Sequence, residues 1–246
     1  MANSSANKSN PKQVCNWSYL GRISYQDAWN IQNILVKARQ ESRITDSLLL
    51  LEHPPTYTIG RRTNISHLLM PKDKLCELGA EVIDVDRGGM ATYHGPGQLV
   101  GYPIINLYNV GGPLKYIRAL ESILITTLTH FGLNASRIEG RTGVWVLDEK
   151  IAAIGVRISR GVTSHGFALN VNTDLSWFKH IVPCGIEDKN ITSMEHLLGH
   201  QVPLEEIAQV VADQFGLATG RIINSTSPKM FYQMEQENKV THISNT

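Results

Sequence analysis

The chain has 246 residues, enough for one substantial domain with a well-buried core. Hydrophobic residues make up 42% and charged residues 18%, the balance of an ordinary globular protein. Lys+Arg 23 against Asp+Glu 22 gives a net charge of +1, so no global charge points to nucleic acid or an anionic membrane. Three scattered cysteines (Cys15, Cys76, Cys184) make neither a disulfide framework nor a zinc pattern, which favours a reducing compartment.

In chain order, the Ser/Asn-rich opening MANSSANKSNPK has no apolar stretch and no arginine. It reads as a disordered tail over residues 1–14, and not as a secretory signal. The arginine-free tail favours the cytoplasm over the alternative of a mitochondrion or plastid. Cys15–Leu20 is predicted as a strand. Ser24-Tyr25-Gln26-Asp27 is a capping signal for an amphipathic helix carrying Trp29, Ile31, Ile34, Leu35 and Ala38. Ser47–His53 is short and apolar, as a buried strand is, and Pro54-Pro55 stops it. Thr56–Ile59 follows as a strand, with Arg61-Arg62 a small basic patch behind it.

Pro71–Leu78 is predicted helical and Glu81–Asp86 extended. Leu99–Leu107 is again a strand, and Leu114–Phe131 is a helix ended by Gly132. Gly143–Leu147 and Ile151–Ile158 read as a hairpin around Asp148-Glu149, His165–Val171 as a strand, and Glu205–Phe215 as a helix closed by Gly216. Residues 225–246 are polar and expected to be peripheral. Helices interleave with hairpin-like strands, which predicts an α+β domain over residues 15–224 with a mixed, mainly antiparallel sheet flanked by helices. No GxGxxG opens a helix and no Walker A sequence is present, so a nucleotide-binding α/β domain is disfavoured.

Four segments combine glycine with reactive side chains. The first runs Arg87-Gly88-Gly89-Met90-Ala91-Thr92-Tyr93-His94-Gly95-Pro96-Gly97-Gln98. It reads either as a loop joining two strands or as a backbone cradle around a ligand. The second is Lys150-Ile151-Ala152-Ala153-Ile154-Gly155, where small residues leave room over a strand. Lys150 is either an exposed hairpin residue or a desolvated lysine able to act as a base or steady a thiolate. The third is His165-Gly166-Phe167-Ala168-Leu169-Asn170, whose histidine is either hydrogen-bonded structure or part of a site. The fourth is Pro183-Cys184-Gly185. Cys15 and Cys76, among apolar neighbours, read as buried and inert, whereas Cys184 stands on a turn where a partner can reach it. The histidines and Cys184 lack metal-ligand spacing, so no metal site is expected.

Together, and in this order and spacing, the four segments resemble the octanoyltransferase, or lipoyl(octanoyl) transferase, family over roughly residues 15–220. The resemblance implies the fold of biotin and lipoate protein ligase catalytic domains. It implies transfer of an octanoyl group from octanoyl-acyl carrier protein to a lysine of a lipoyl domain, in 2-oxoacid dehydrogenases or the glycine cleavage H protein. The family's Cys/Lys dyad maps onto Cys184, as a thioester carrier, and Lys150. Its acyl-contacting positions map onto Arg87, Gly88, Gly89, Met90, Ala91, Thr92, Tyr93, His94, Ala153, Ile154, Gly155, Gly166, Phe167 and Ala168. His165, Gly97, Gln98 and Asn170 are supporting positions. No cofactor is expected, because a thioester donor is already activated. The competing readings are an ATP-dependent lipoate or biotin ligase on the same fold, an enzyme moving octanoate between lipoyl carriers, and a non-catalytic acyl-carrier-binding module.

Overall fold

The computed structural model describes residues 13–63, 68–182 and 190–234. Cys184, with Pro183 and Gly185, and most of the expected N-terminal tail lie outside the described residues.

Two β-sheets organise the molecule. The large one has eight strands in the order β11-β1-β2-β6-β10-β9-β8-β7. These are β1 (Val14–Arg22), β2 (Asp46–Glu52), β6 (Gln98–Ile104), β7 (Ala135–Ile138), β8 (Arg141–Val146), β9 (Glu149–Ser159), β10 (Val162–Asn170) and β11 (Ile222–Ser225). β1 runs parallel to β2 and β11, and every other pairing is antiparallel. The small sheet orders β4 (Glu81–Asp84), β3 (Thr56–Ile59) and β5 (Thr92–His94). The sheet is mixed and mainly antiparallel, as the interleaving of hairpins and helices predicts.

The large sheet is covered on both faces. Helix α1 (Tyr25–Gln40) lies on one face; α3 (Pro113–His130) and α5 (Leu204–Thr219) lie on the other. Strand β2 shows why a continuous leucine run suits its centre. Leu48 and Leu50 enter the core under α3 and α5, while Leu49 and Leu51 enter the core under α1. All four are 0% exposed, each burial contributing about 1.5–3 kcal/mol. Ser24 caps α1 as its sequence predicts, its hydroxyl accepting the Asp27 N–H at 3.1 Å. Asp46 ties this framework together. It accepts from Arg39 Nε at 2.6 Å and Arg221 Nε at 2.7 Å, and from the Asn106 N–H at 3.1 Å.

Three details differ from the sequence reading. Gly216 does not end α5; the helix continues to Thr219 and Gly220 caps it at φ 68. Gly216 is instead a close-approach residue, because a Cβ there would stand 2.5 Å from the Ile223 side chain. Cys76, in the short helix α2 (Lys72–Glu77), is exposed, because that helix buries Leu75 and turns Cys76 outward. In the segment after Ser225, Phe231 is 0% exposed and packs into the core under α1, so part of that stretch belongs to the domain. A short helix, α4 (Met194–Leu198), precedes α5.

Candidate active site

Strands β9 and β10 form the floor of the site. Their register sets Ala168 opposite Ala153, Phe167 opposite Ile154, and Gly166 opposite Gly155. The Arg87-Gly88-Gly89 loop crosses above them. The Gly88 N–H donates to Val156 O at 3.1 Å, and the Gly88 carbonyl would stand 3.0 Å from any Cβ at Gly155. Glycine at 155 thus lets the loop lie directly on the strand.

Between loop and strands runs a slot made of two adjoining hollows that share Thr92, Ala153 and Ala168 as walls. Arg87, Gly89, Met90, Ala91, His94, Ile154, Gly155, His165, Gly166 and Phe167 line one hollow. Lys150, Gln98, Ala152, Asn170, Phe178 and Ile191 line the other. Lys150 is 6% exposed, with its Nζ 5.4 Å from the centroid of the Trp145 ring. The buried alternative for this lysine is therefore the observed one, and it is not an exposed hairpin residue.

Three sequence-predicted positions stand behind the wall. Gly88 anchors the loop to β9. Tyr93 stacks on Trp177 with ring centroids 5.4 Å apart. Gly97 donates its N–H to Glu52 Oε2 at 2.7 Å and accepts from the Asn172 N–H at 2.8 Å.

A buried chain of hydrogen bonds runs along the slot, and its proton positions follow from the donors available. Arg87 Nη2 donates to Thr58 O at 2.9 Å and to Thr58 Oγ1 at 2.7 Å. The Thr58 hydroxyl proton is then left for His94 Nε2, 3.5 Å away. Gln98 Nε2 donates to Asn170 Oδ1 at 2.9 Å, which makes Gln98 Oε1 the acceptor of the His94 Nδ1–H at 2.8 Å. Asn170 Nδ2 continues to Thr192 O at 3.0 Å, and the Thr192 N–H bonds Lys150 O at 3.0 Å. Arg87, Thr58, His94, Gln98 and Asn170 thereby brace the slot from the loop to the strand that carries Lys150. His94 is held neutral, its pKa well below the usual histidine range, chiefly by burial.

Tyr25, Tyr102, His53, Asp86 and Phe178 also belong to this region, and the sequence reading did not single them out. His165 Nε2–H donates to Asp86 Oδ1 at 2.8 Å, leaving Nδ1 to accept from the Tyr25 hydroxyl at 3.4 Å. Asp86 also pairs with Arg157 at 2.6 Å. His165 sits at φ 54 inside β10, a conformation L-residues rarely adopt. Its backbone N–H bond to Gln32 Oε1 at 2.8 Å and its Asp86 contact hold it there. His53 donates Nδ1–H to Ile23 O at 2.9 Å and accepts from the Tyr102 hydroxyl at 2.7 Å. For Tyr25, His53 and Tyr102 the local signal was an aromatic ring or a histidine in or beside α1, β2 and β6; Asp86 and Phe178 lie outside those elements.

Among the described residues, no group of three His, Cys, Asp or Glu side chains is arranged to hold a metal ion. None of the described helices is long and apolar enough to cross a membrane.

The model of the lipoyl protein ligase A/B catalytic domain matches residues 24–216. An octanoyltransferase of Koribacter versatilis is 50% identical over 203 residues, covering 80% of this chain and 81% of its own. One of Rubrobacter xylanophilus is 51% identical over 197 residues, covering 79% and 89%. Among solved structures, a bipartite lipoate protein ligase of Thermoplasma acidophilum superposes with a TM-score of 0.67 at 15% identity, covering 93% of this chain and 92% of that one. A biotin protein ligase of Aquifex aeolicus gives 0.53 at 14% identity, covering 83% and 70%. These two likenesses concern the fold.

Proposed function

The chain belongs to the lipoyl protein ligase A/B catalytic-domain family, and on that premise we propose that it transfers an octanoyl group onto lipoyl-domain lysines. Its relatives at about half identity are octanoyltransferases, which makes it an acyltransferase. The observation that carries the substrate reading is the slot itself, walled by small Ala153 and Ala168 and reaching from Lys150 to the Arg87-Gly88-Gly89 loop.

Its length suits the cargo. From Lys150 to Gly155, β9 advances about 16 Å at roughly 3.3 Å per residue. An extended eight-carbon chain needs about 8–9 Å, at the roughly 1.2 Å per bond of any extended chain. The remainder leaves room for the thioester head near Lys150. Each buried CH₂ contributes about 0.8 kcal/mol, so a slot of fixed length discriminates among chain lengths.

In the proposed reaction, Cys184 attacks the thioester of octanoyl-acyl carrier protein. The carrier leaves as its thiol and the octanoyl group remains as a thioester on Cys184. Lys150 takes the Cys184 proton or holds the thiolate. The acceptor lysine of a 2-oxoacid dehydrogenase lipoyl domain, or of the glycine cleavage H protein, then attacks as a neutral amine. The amide product releases Cys184. The chain just C-terminal to Cys184 supports a pairing of Cys184 with Lys150. Asn190 O accepts the Lys150 N–H at 2.9 Å, and Ile191, one residue on, lines the slot beside Lys150. The cytoplasm is the proposed site of the reaction.

The test is transfer from purified octanoyl-acyl carrier protein to an isolated lipoyl domain without nucleotide. Octanoylation of the acceptor lysine, at a rate unchanged by ATP, is expected. Transfer of free octanoate or lipoate that depends on ATP would assign the chain to the ligase reaction instead.

A further inference from the structure

The face of β9 on which Lys150 lies is set by a register slip. Val144 of β8 lies opposite Ala152, but Trp145 lies opposite Lys150, so Ile151 is an extra residue on β9. This is a β-bulge, which re-aims the side chains around it. Successive strand residues otherwise alternate between faces. Ile151 and Ala152 both enter the core beneath α3 and α5. Ala153, by contrast, pairs with Ala168, which belongs to the core on the α1 side. Regular alternation would give Lys150 the face of Ala152 and drive its amine into the apolar core. The bulge turns it toward the slot.

Gly143, the third residue of β8, makes the space the lysine then occupies. A Cβ at this position would stand 2.8 Å from Lys150 Cε, 3.4 Å from Nζ and 2.7 Å from Ala152 O. Its φ of 135 also strains any other residue. The Gly143 N–H donates to Glu121 Oε1 at 3.2 Å. Glu121, on α3, is 0% exposed, and its other oxygen accepts from Arg118 at 2.7 Å and Arg137 at 2.9 Å. A carboxylate fixed by two arginines thus grips the backbone of the residue against which Lys150 packs.

We propose that Gly143 and Glu121 are positioning residues for Lys150: Glu121 anchors Gly143 beside the Ile151 bulge, and together they seat the Lys150 amine in the slot. The inference rests on the role of Lys150 put forward above.

The experiment compares Gly143→Ala, Gly140→Ala, Glu121→Ala and Glu121→Gln in the full-length protein. It measures kcat and KM for octanoyl-acyl carrier protein across pH, with the thermal midpoint as a check on folding. Gly140, at the β7–β8 turn, has φ 74 but nothing within 4 Å of its Cβ position, so its substitution imposes backbone strain without touching Lys150. For Gly143→Ala we expect kcat about tenfold lower or more, KM within about twofold, and a displaced pH at half-maximal rate; Gly140→Ala stays near the parent protein. Glu121→Ala follows Gly143→Ala, and Glu121→Gln, which keeps an acceptor oxygen for the Gly143 N–H, recovers part of the loss. A parental kcat and pH profile in Gly143→Ala would overturn the proposal. So would an equal loss in Gly140→Ala, or losses that track the folded fraction alone in the Glu121 pair. Full activity in Lys150→Ala would remove the premise, a failure distinct from these.

Discussion

Lys150→Ala is expected to lower octanoyl transfer by about 10²- to 10⁴-fold, the range for losing a positioned proton-transfer group, while leaving the thermal midpoint within a few degrees. Lys150 is 6% exposed and lies against Trp145 at the wall of the slot. Removing it takes away the amine that, in the proposed mechanism, either accepts the Cys184 proton or holds the thiolate. Lys150→Arg separates the two roles, because a guanidinium keeps the charge but does not release its proton at working pH. A base role predicts that Lys150→Arg is as impaired as Lys150→Ala, whereas a thiolate-holding role predicts partial recovery. Steady-state transfer rates read the difference, and parental rates in both variants would remove Lys150 from the mechanism.

Acid is expected to destabilise the fold well before its carboxylates titrate. Burial lowers the His53 pKa to about 4 from 6.5. His94 and His165 are lowered as well, again chiefly by burial. In the unfolded chain these histidines take up protons as the pH falls through about 6.5, while in the folded protein they stay neutral. The unfolded state therefore binds more protons in that window, and stability falls with falling pH. At about 1.4 kcal/mol per pH unit, His53 alone accounts for about 3 kcal/mol between pH 6.5 and its folded value. Denaturant midpoints at pH 7 and pH 5 should fall accordingly, and less steeply in His53→Gln. An unchanged or higher midpoint at pH 5 would contradict this.

The parts of the fold legible in the sequence were those whose signal is local. The leucine run of β2 and the Ser24 cap of α1 each state their structure within a few residues, and both form as read. The glycine-rich segments likewise announced a close approach of backbones, which the Gly88–Gly155 contact makes concrete. What was not legible depends on partners distant in the chain. Asp148-Glu149-Lys150 looks like a solvated turn, and only the slip against Val144 and Trp145 turns the lysine inward. Gly216 looked like a helix end, yet it serves an approach to Ile223 from the next strand. Tyr25 and Tyr102 contribute to the slot from a helix and a strand whose local patterns call only for burial. Asp86 gains its standing from His165 and Arg157, both distant in the chain.

In the proposed mechanism the octanoyl group travels on Cys184 with Lys150 as its partner. Intact-mass analysis of the protein after mixing with octanoyl-acyl carrier protein tests it most directly. A single octanoyl adduct is expected, removed by hydroxylamine as a thioester is, absent from Cys184→Ala and strongly reduced in Lys150→Ala. An adduct that persists in Cys184→Ala would rule out Cys184 as the acyl carrier.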